Sequence, residues 1–187
     1  MSETTYSFRN SALEKEETVY RLTDRGLELV YPTYTHPIAF SEIKEIRLYH
    51  DPTRFAMTKY QCDITLHYGT VFTLKSVHYR GFADFEDRGA AYAAFIRTLH
   101  DRLKTFPGIV YHSGNRPGCF AGNLAILIGT VLLVGSVLFF LGAPGTLGGL
   151  FKFLVVVVMV YFSIQYLRKN KPATYSPDHL PEKVLPM

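Results

Sequence analysis

Two hydrophobic runs, residues 123–141 and 147–167, separated only by the break GAPGT, constrain this 187-residue chain more than any other feature. Between Arg116 and Arg168 the single charged side chain is that of Lys152. Each run approaches the roughly 20 apolar residues that a helix needs to cross a hydrocarbon core of about 30 Å. The first holds 13 Leu, Ile, Val or Phe residues, each favouring insertion by about 0.3–0.6 kcal/mol. The second carries Val155, Val156, Val157 and Val158, a β-branched block that would suggest a strand in water. In lipid an open strand leaves backbone groups unpaired at several kcal/mol each, so a helix wins. A two-helix transmembrane hairpin is predicted within residues 119–167, its helices at about 121–141 and 147–167. The rest of the chain is too small to bury two such helices as a soluble core.

The flanks set the sidedness. Arg116 precedes the first helix, Arg168, Lys169 and Lys171 follow the second, and the loop between them is uncharged. The positive-inside rule places both termini in the cytoplasm of a two-pass integral protein of the cell or inner membrane. No signal-peptide pattern stands at the N-terminus, so the first run is expected to act as the insertion signal. The four flanking cations meet anionic headgroups at about 1 kcal/mol each, and Lys152, near the loop end of its helix, reaches the interface along its stem. Gly122, Ala125, Gly129 and Ser136 share one helical face. They are expected to let helices approach closely, either within the hairpin or at a seam between copies.

Residues 1–116 hold 15 Lys/Arg against 14 Asp/Glu, and residues 117–187 hold 5 against 2. The net charge of +4 is therefore mostly a juxtamembrane feature. No basic face is left that could release many counterions from nucleic acid. Cys62 and Cys119 lie in unlike contexts with no CxxC or Cys/His spacing, which argues against zinc and a structural disulfide and for a reducing compartment.

Ahead of the hairpin, residues 1–106 read as one small domain, joined by a linker at 107–118. Strand signals follow one another closely: residues 4–10, then 18–23, where Tyr20 and Leu22 face one way, then a turn at Asp24, Arg25 and Gly26, with the glycine free to take positive φ. A returning strand spans 27–31, and 36–40 and 43–49 continue the pattern, with a bulge where Ile43, Ile46 and Leu48 break alternation. Residues 51–54 form a turn. In 57–68, Tyr60, Cys62, Ile64, Leu66 and Tyr68 share the core face. A two-residue turn at Gly69 and Thr70 returns the chain with Phe72, Leu74 and Ser76 inward, opposing His67 to Phe72 and His78 to Gln61. The period then changes. Phe85, Tyr92, Phe95, Ile96, Leu99 and Leu103 recur every three or four residues, predicting an amphipathic helix from about 84 to 104 that Pro107 and Gly108 end. Asp84, Glu86 and Asp87 would favour the positive end of its dipole.

Strands followed by one amphipathic helix form a restricted pattern, since a small antiparallel sheet needs its open face covered. Residues 20–29 (YRLTDRGLEL), residues 38–48 (IAFSEIKEIRL) and the terminal helix resemble bacterial pleckstrin-homology-like (PH-like) domains of small membrane proteins, and GRAM-like domains alike, over about residues 5–105. The resemblance implies an α+β membrane protein: a small antiparallel PH-like β-barrel or split sheet capped by its C-terminal helix, ahead of the hairpin. It also raises phosphoinositide binding. Yet the candidate loops, Asp24 to Gly26 or residues 10–18 with Glu14, Glu16 and Glu17, are neutral or acidic.

No pair of the seven histidines has metal-site spacing, and no GxSxG, P-loop or GxGxxG stands in the right context. No catalytic set, cofactor or metal is expected. The tail, 168–187, is basic and then rich in proline, so it cannot be a long helix. Its apolar residues suggest that 175–185 docks on the soluble domain or the membrane surface. The resulting expectation is a non-catalytic, membrane-anchored PH-like scaffold that presents a protein- or peptide-binding surface at the inner membrane, at a sheet edge or in the groove between sheet and helix. The alternative is a subunit of a small oligomeric channel or transporter, packed through the Gly/Ala/Ser face.

Overall fold

The computed structural model describes residues 4–14, 16–51, 59–82, 84–140 and 146–186. The expected turn at 52–54 and the break at 142–145 lie outside them. The chain divides into two units, Met1–Gly114 together with Ala173–Met187, and Asn115–Pro172.

The first unit is α+β. Strands β1 (Thr4–Phe8), β2 (Thr18–Leu22), β3 (Gly26–Val30) and β4 (Thr35–Ala39) form an antiparallel meander in that order. A 3-10 turn at Phe40–Glu42 leads into β5 (Ile43–Asp51), β6 (Lys59–Leu66) and β7 (Val71–Lys75). Next come the two-stranded ribbon of β8 (Val77–Gly81) and β9 (Asp84–Asp87), then helix α1 (Gly89–Leu103). β10 (Val110–Ser113) and β11 (Ala173–Thr174) complete the second sheet, ordered β11-β10-β5-β6-β7. β10 runs parallel to β5, while every other described pairing is antiparallel. Among the described residues the sheets stay separate and no barrel closes, so of the two expected shapes the barrel is not formed.

Alternation builds the core. Tyr6 and Phe8, Tyr20 and Leu22, Leu27 and Leu29, Ile46 and Leu48, and Cys62, Ile64 and Leu66 are all buried, along with Leu74. The bulge in β5 lies between Ile43, paired with Leu66, and Glu45, paired with Thr65. α1 buries Tyr92, Phe95, Ile96, Leu99 and Leu103 on one stripe. Tyr6 meets Tyr92 edge-on at 6.0 Å and Phe95 at 5.8 Å.

Three sequence expectations change. The β6–β7 connection is a four-residue loop, with Gly69 at φ 90° and Gln61 opposite Lys75. A two-residue turn would slide β7 by an odd number of residues and send Leu74 to the face opposite Cys62; the observed register sets those two side by side. Residues 84–87 form a strand, so Phe85 lies off the helix, edge-on to Tyr79 at 5.5 Å. Pairing with β8 outweighs its in-phase helical spacing. Of the three carboxylates there, Asp87 accepts from the first helical N–H, that of Gly89, at 2.8 Å. Finally, Gly26 is required by contact and not by positive φ. A Cβ there would lie 2.1 Å from the Ile38 carbonyl oxygen, because β4 crosses its backbone closely.

The second unit consists of α2 (Pro117–Phe140) and α3 (Thr146–Asn170). Pro117–Leu138 and Gly149–Asn170 are each long and apolar enough to cross a membrane, with mean hydropathies of 2.1 and 2.0, and neither is buried in the molecule. Replacing Gly26 with alanine should destabilise the first unit by about 1–3 kcal/mol through overpacking against Ile38. The shift would be read as the denaturant midpoint of the full-length protein in detergent by near-ultraviolet circular dichroism.

Candidate functional site

Exposed strand edges are the first places to look for a binding surface, because unpaired backbone groups there accept another strand. In this protein the edges are largely covered. The hydrogen bonds Leu66 N–H to Thr70 O and Ser76 N–H to Tyr60 O turn the even-numbered residues of β7 toward β6. Its odd-numbered carbonyls therefore point outward, and tyrosines of the first sheet take them: Tyr6 donates to Lys75 O at 2.6 Å, Tyr20 to Thr73 O at 3.4 Å. Along β1, Arg9 N–H donates to His78 Nδ1 at 3.0 Å, Arg9 O accepts from Tyr79 N–H at 2.8 Å, and Ser7 O accepts from Arg88 at 2.8 Å. β4 carries Pro37 on its outer side, since the Tyr31–Tyr34 turn bond turns the odd residues of β3 toward the even residues of β4. Proline offers a pairing strand no donor.

Arg88 is the centre of a polar cluster beside β1. It donates to Glu17 through both terminal nitrogens, at 3.0 and 3.3 Å, and lies 3.5 Å from Glu86. Ser7 also donates to Glu17. These bonds, that from Arg88 foremost, hold the Glu17 carboxyl below its ordinary range, and Glu17 in turn raises the Arg88 guanidinium. His78, desolvated and facing Arg88, is held below the usual histidine value. Its Nδ1 accepts from Arg9, so its proton sits on Nε2, 3.8 Å from Glu17. The acids and bases of this cluster satisfy one another. That arrangement bonds part of the outer backbone of β1.

A cleft of about 370 Å³ is open between the two sheets, lined by Phe8, Asn10, Glu14, Thr18, Tyr20, Tyr31, Gln61, Thr73 and Lys75. Lys75 bonds Asn10 at its rim, and Asn10 N–H donates to Glu14 at 2.7 Å. Deeper in, Asp63 accepts from Thr73 at 2.7 Å and Tyr49 donates to Gln61 at 3.1 Å.

The groove between α1 and the second sheet is filled by the chain's own tail. After β11 pairs with β10 at His112–Thr174 and Ser113–Ala173, Tyr175 N–H donates to Tyr111 O at 3.1 Å. The Tyr175 ring packs against His100 and Tyr111, with centroids 5.8 and 5.7 Å away. His100 is fully buried. Its Nδ1 can only donate to the Ile96 carbonyl, at 2.8 Å, so its bare Nε2 accepts from the Tyr175 hydroxyl at 2.7 Å. Burial, opposed by that backbone bond, pulls the His100 pKa down from 6.5 to about 4. A 3-10 turn at Glu182–Val184 then delivers Val184 and Leu185, 0% and 5% exposed, into the core cluster. Pro186 packs where a side chain at Gly89 would be, 3.0 Å from its Cβ position.

In the second unit a polar clamp joins the ends of the two helices. Tyr166 Oη accepts from Asn123 Nδ2 at 2.7 Å and from Asn115 Nδ2 at 3.3 Å, and Asn115 N–H donates to Asn170 O at 3.0 Å. The one signal of this clamp in the sequence is Asn123, a polar amide in an apolar run. Phe120, Asn123, Leu124, Leu127, Val131, Val134, Gly135 and Leu138 are the less exposed of the described positions of α2. Gly122, Ala125, Gly129 and Ser136 are exposed, on roughly the opposite side by helical rotation. No atom beyond its own helix comes within 4 Å of where a Cβ would stand at Gly122 or Gly129. Arg116, Arg168, Lys169 and Lys171 are exposed at the helix ends, and Lys152 is half-buried in the second turn of α3. Cys62 and Cys119 are free, the first buried and the second exposed, and burial pushes the Cys62 thiol well up. Among the described residues no three His, Cys, Asp or Glu side chains are grouped to hold a metal ion.

Comparison with known proteins gives no match to a family model, to a curated protein or to a solved structure.

Two outcomes follow from these contacts. Tyr166→Phe removes the shared acceptor and should weaken the α2–α3 association by about 0.6–1.7 kcal/mol, measured as a lowered detergent-denaturation midpoint. His100 protonates less readily folded than unfolded, so its contribution to stability is intact above pH 6.5 and declines toward pH 4. The slope should approach about 1.4 kcal/mol per pH unit. His78 acts in the same direction, so the His100 share is the difference between the pH–stability curves of the wild type and His100→Gln.

Proposed function

We propose that this chain is a membrane-anchored, non-catalytic binding and scaffolding module. In this reading α2 and α3 cross the inner membrane as a hairpin, and the first unit is a PH-like domain that lies in the cytoplasm with both termini. Arg116, Arg168, Lys169 and Lys171 meet anionic headgroups there, and Lys152 snorkels from the other end. The observation that carries it is the pairing of β10 with β11 in one sheet. The segments that enter and leave the apolar helices belong to one folded body, so two crossings must return the chain to the side it left. A four-stranded antiparallel meander, then β5–β7, a two-stranded ribbon and one amphipathic helix support the PH-like assignment.

The partner-binding surface is assigned to the cleft between the sheets, because side chains bond the outer backbone of β1 and β7, β4 sets Pro37 on its outer side, and the helix groove is filled. The cleft is lined by the half-buried Tyr31 together with polar Thr18, Gln61 and Lys75, a mixed surface suited to an extended peptide. A second reading, an oligomeric channel or transporter subunit, is favoured by one observation: the Gly122, Ala125, Gly129 and Ser136 face is exposed and turned from α3. Close packing of that face between copies would build a bundle.

A photoreactive amino acid at Thr18, within the cleft, is expected to give a discrete cross-linked protein adduct in intact cells, and one at exposed Glu182 none. Equal labelling from the two positions, or none from either in correctly inserted protein, would count against the scaffold. A fixed oligomer in detergent that Gly129→Leu dissociates, together with ion flux in reconstituted vesicles, would select the channel.

A further inference from the structure

We propose that the groove between α1 and the β5–β10 pair is a peptide-binding site, and that residues 173–186 are its resident ligand, held in cis. The ligand class is an extended, proline-rich peptide with one aromatic anchor followed about ten residues later by an aliphatic pair. This site is distinct from the cleft between the sheets and does not depend on what binds there.

The tail engages the first unit as a bound peptide does. Its anchors are few, Val184 and Leu185 buried and Tyr175 and Leu180 partly buried, and the residues between them are mostly exposed: Ser176, Asp178, His179, Glu182 and Lys183. Backbone pairing opens the interface over only two residue pairs and one further bond, Tyr175 N–H to Tyr111 O. Few anchors separated by solvated spacers are the usual anatomy of peptide recognition in a groove. Pro177, Pro181 and Pro186 restrict the free segment before it binds. One polar side chain in the floor is matched to the ligand: His100 Nε2 is bare because Nδ1 is committed to Ile96, and it receives the Tyr175 hydroxyl. At the far end Gly89 leaves the space that Pro186 fills. At the rim Lys104 lies 3.4 Å from Asp178.

The occupant is attached through Lys171 and Pro172 to α3, so its effective concentration at the groove is on the order of millimolar or above. A peptide supplied in trans competes against that tether. The groove therefore rests self-occupied, and a second peptide of the same chemistry gains entry only where the tether is cut or the anchors are weakened.

The test uses full-length protein in detergent, with a protease site inserted between Lys171 and Pro172, and a fluorescent peptide of residues 173–186 as the probe. The uncut chain should bind the probe at least tenfold more weakly than the cut chain. After cleavage the probe should exchange in, excess unlabelled peptide should displace it, and a probe carrying Val184→Asp should fail to bind. Three results would overturn the proposal: a cut tail that stays in place without exchange under an otherwise native fold, equal binding by the Val184→Asp probe, or equal binding by cut and uncut chains. Because the chain folds before it is cut, a variant that cannot fold does not enter the result. A second variant, Tyr175→Phe in the uncut chain, keeps the ring and removes the bond to His100, and should increase probe binding severalfold. Unchanged binding would show that the His100 contact is not part of the recognition.

Discussion

The parallel pairing of β10 with β5, extended by two residue pairs to β11, is the constraint on which the rest depends. It fixes where the chain leaves the folded unit and where it returns, at adjacent positions of one sheet. Backbone groups at such a place must be satisfied by neighbours when water is excluded. β10 alone would present its outer side unpaired; β11 takes it, and Gly114 N–H closes the other side on Leu48 O at 2.8 Å. The apolar helices are thus an excursion from one edge of a sheet, and the chain's last described residues belong to the fold that its first residues begin.

The same accounting explains Tyr6, Tyr20 and Arg88 in the first unit, while the buried hydroxyls of Tyr92 and Tyr111 have no hydrogen-bond partner among the described residues. Tyrosines that face the core carry hydroxyls, and burial makes them costly unless bonded. Tyr6 and Tyr20 spend theirs on the outward carbonyls of β7, so one contact satisfies a buried hydroxyl and covers an edge. Burial raises both phenols well above the ordinary value, which keeps them in the donating form. Arg88 does the corresponding work at β1, with Glu17 and Glu86 balancing its charge. Side chains thereby occupy outward backbone groups of β1 and β7 that would otherwise stand unpaired.

Much of the fold was legible because its signals are local. Period-two alternation located β2, β5 and β6 and most of their core faces, although Tyr68 lies in the loop beyond β6 and is exposed; a period of 3.6 located the Tyr92 to Leu103 stripe, and the broken alternation after Ile43 marked a real bulge. The failures share a cause: each depended on a contact distant in sequence. Phe85 is in phase with the helix and pairs instead in the ribbon with Tyr79. Gly26 looked like a turn glycine, and the reason for it is Ile38. The β6–β7 loop length follows from keeping Leu74 beside Cys62. β10 is four residues long, lies in a stretch that reads as a linker, and pairs with a strand some sixty residues earlier. The groove between sheet and helix was foreseen, as was a tail with apolar residues to bury; that the one occupies the other could not be read from either.

What the sequence determined by itself is the existence and nature of the two apolar helices and the alternation of a small α+β unit before them. Hydrophobic periodicity is a property of consecutive residues, and burial or lipid are the two environments that satisfy it. Only the tertiary structure decided which backbone edges remain open, what fills the helix groove, and which face of α2 turns toward α3. These depend on where distant groups meet, and hydrogen-bond satisfaction across Tyr6–Lys75, His100–Tyr175 and Asn123–Tyr166 settled each of them.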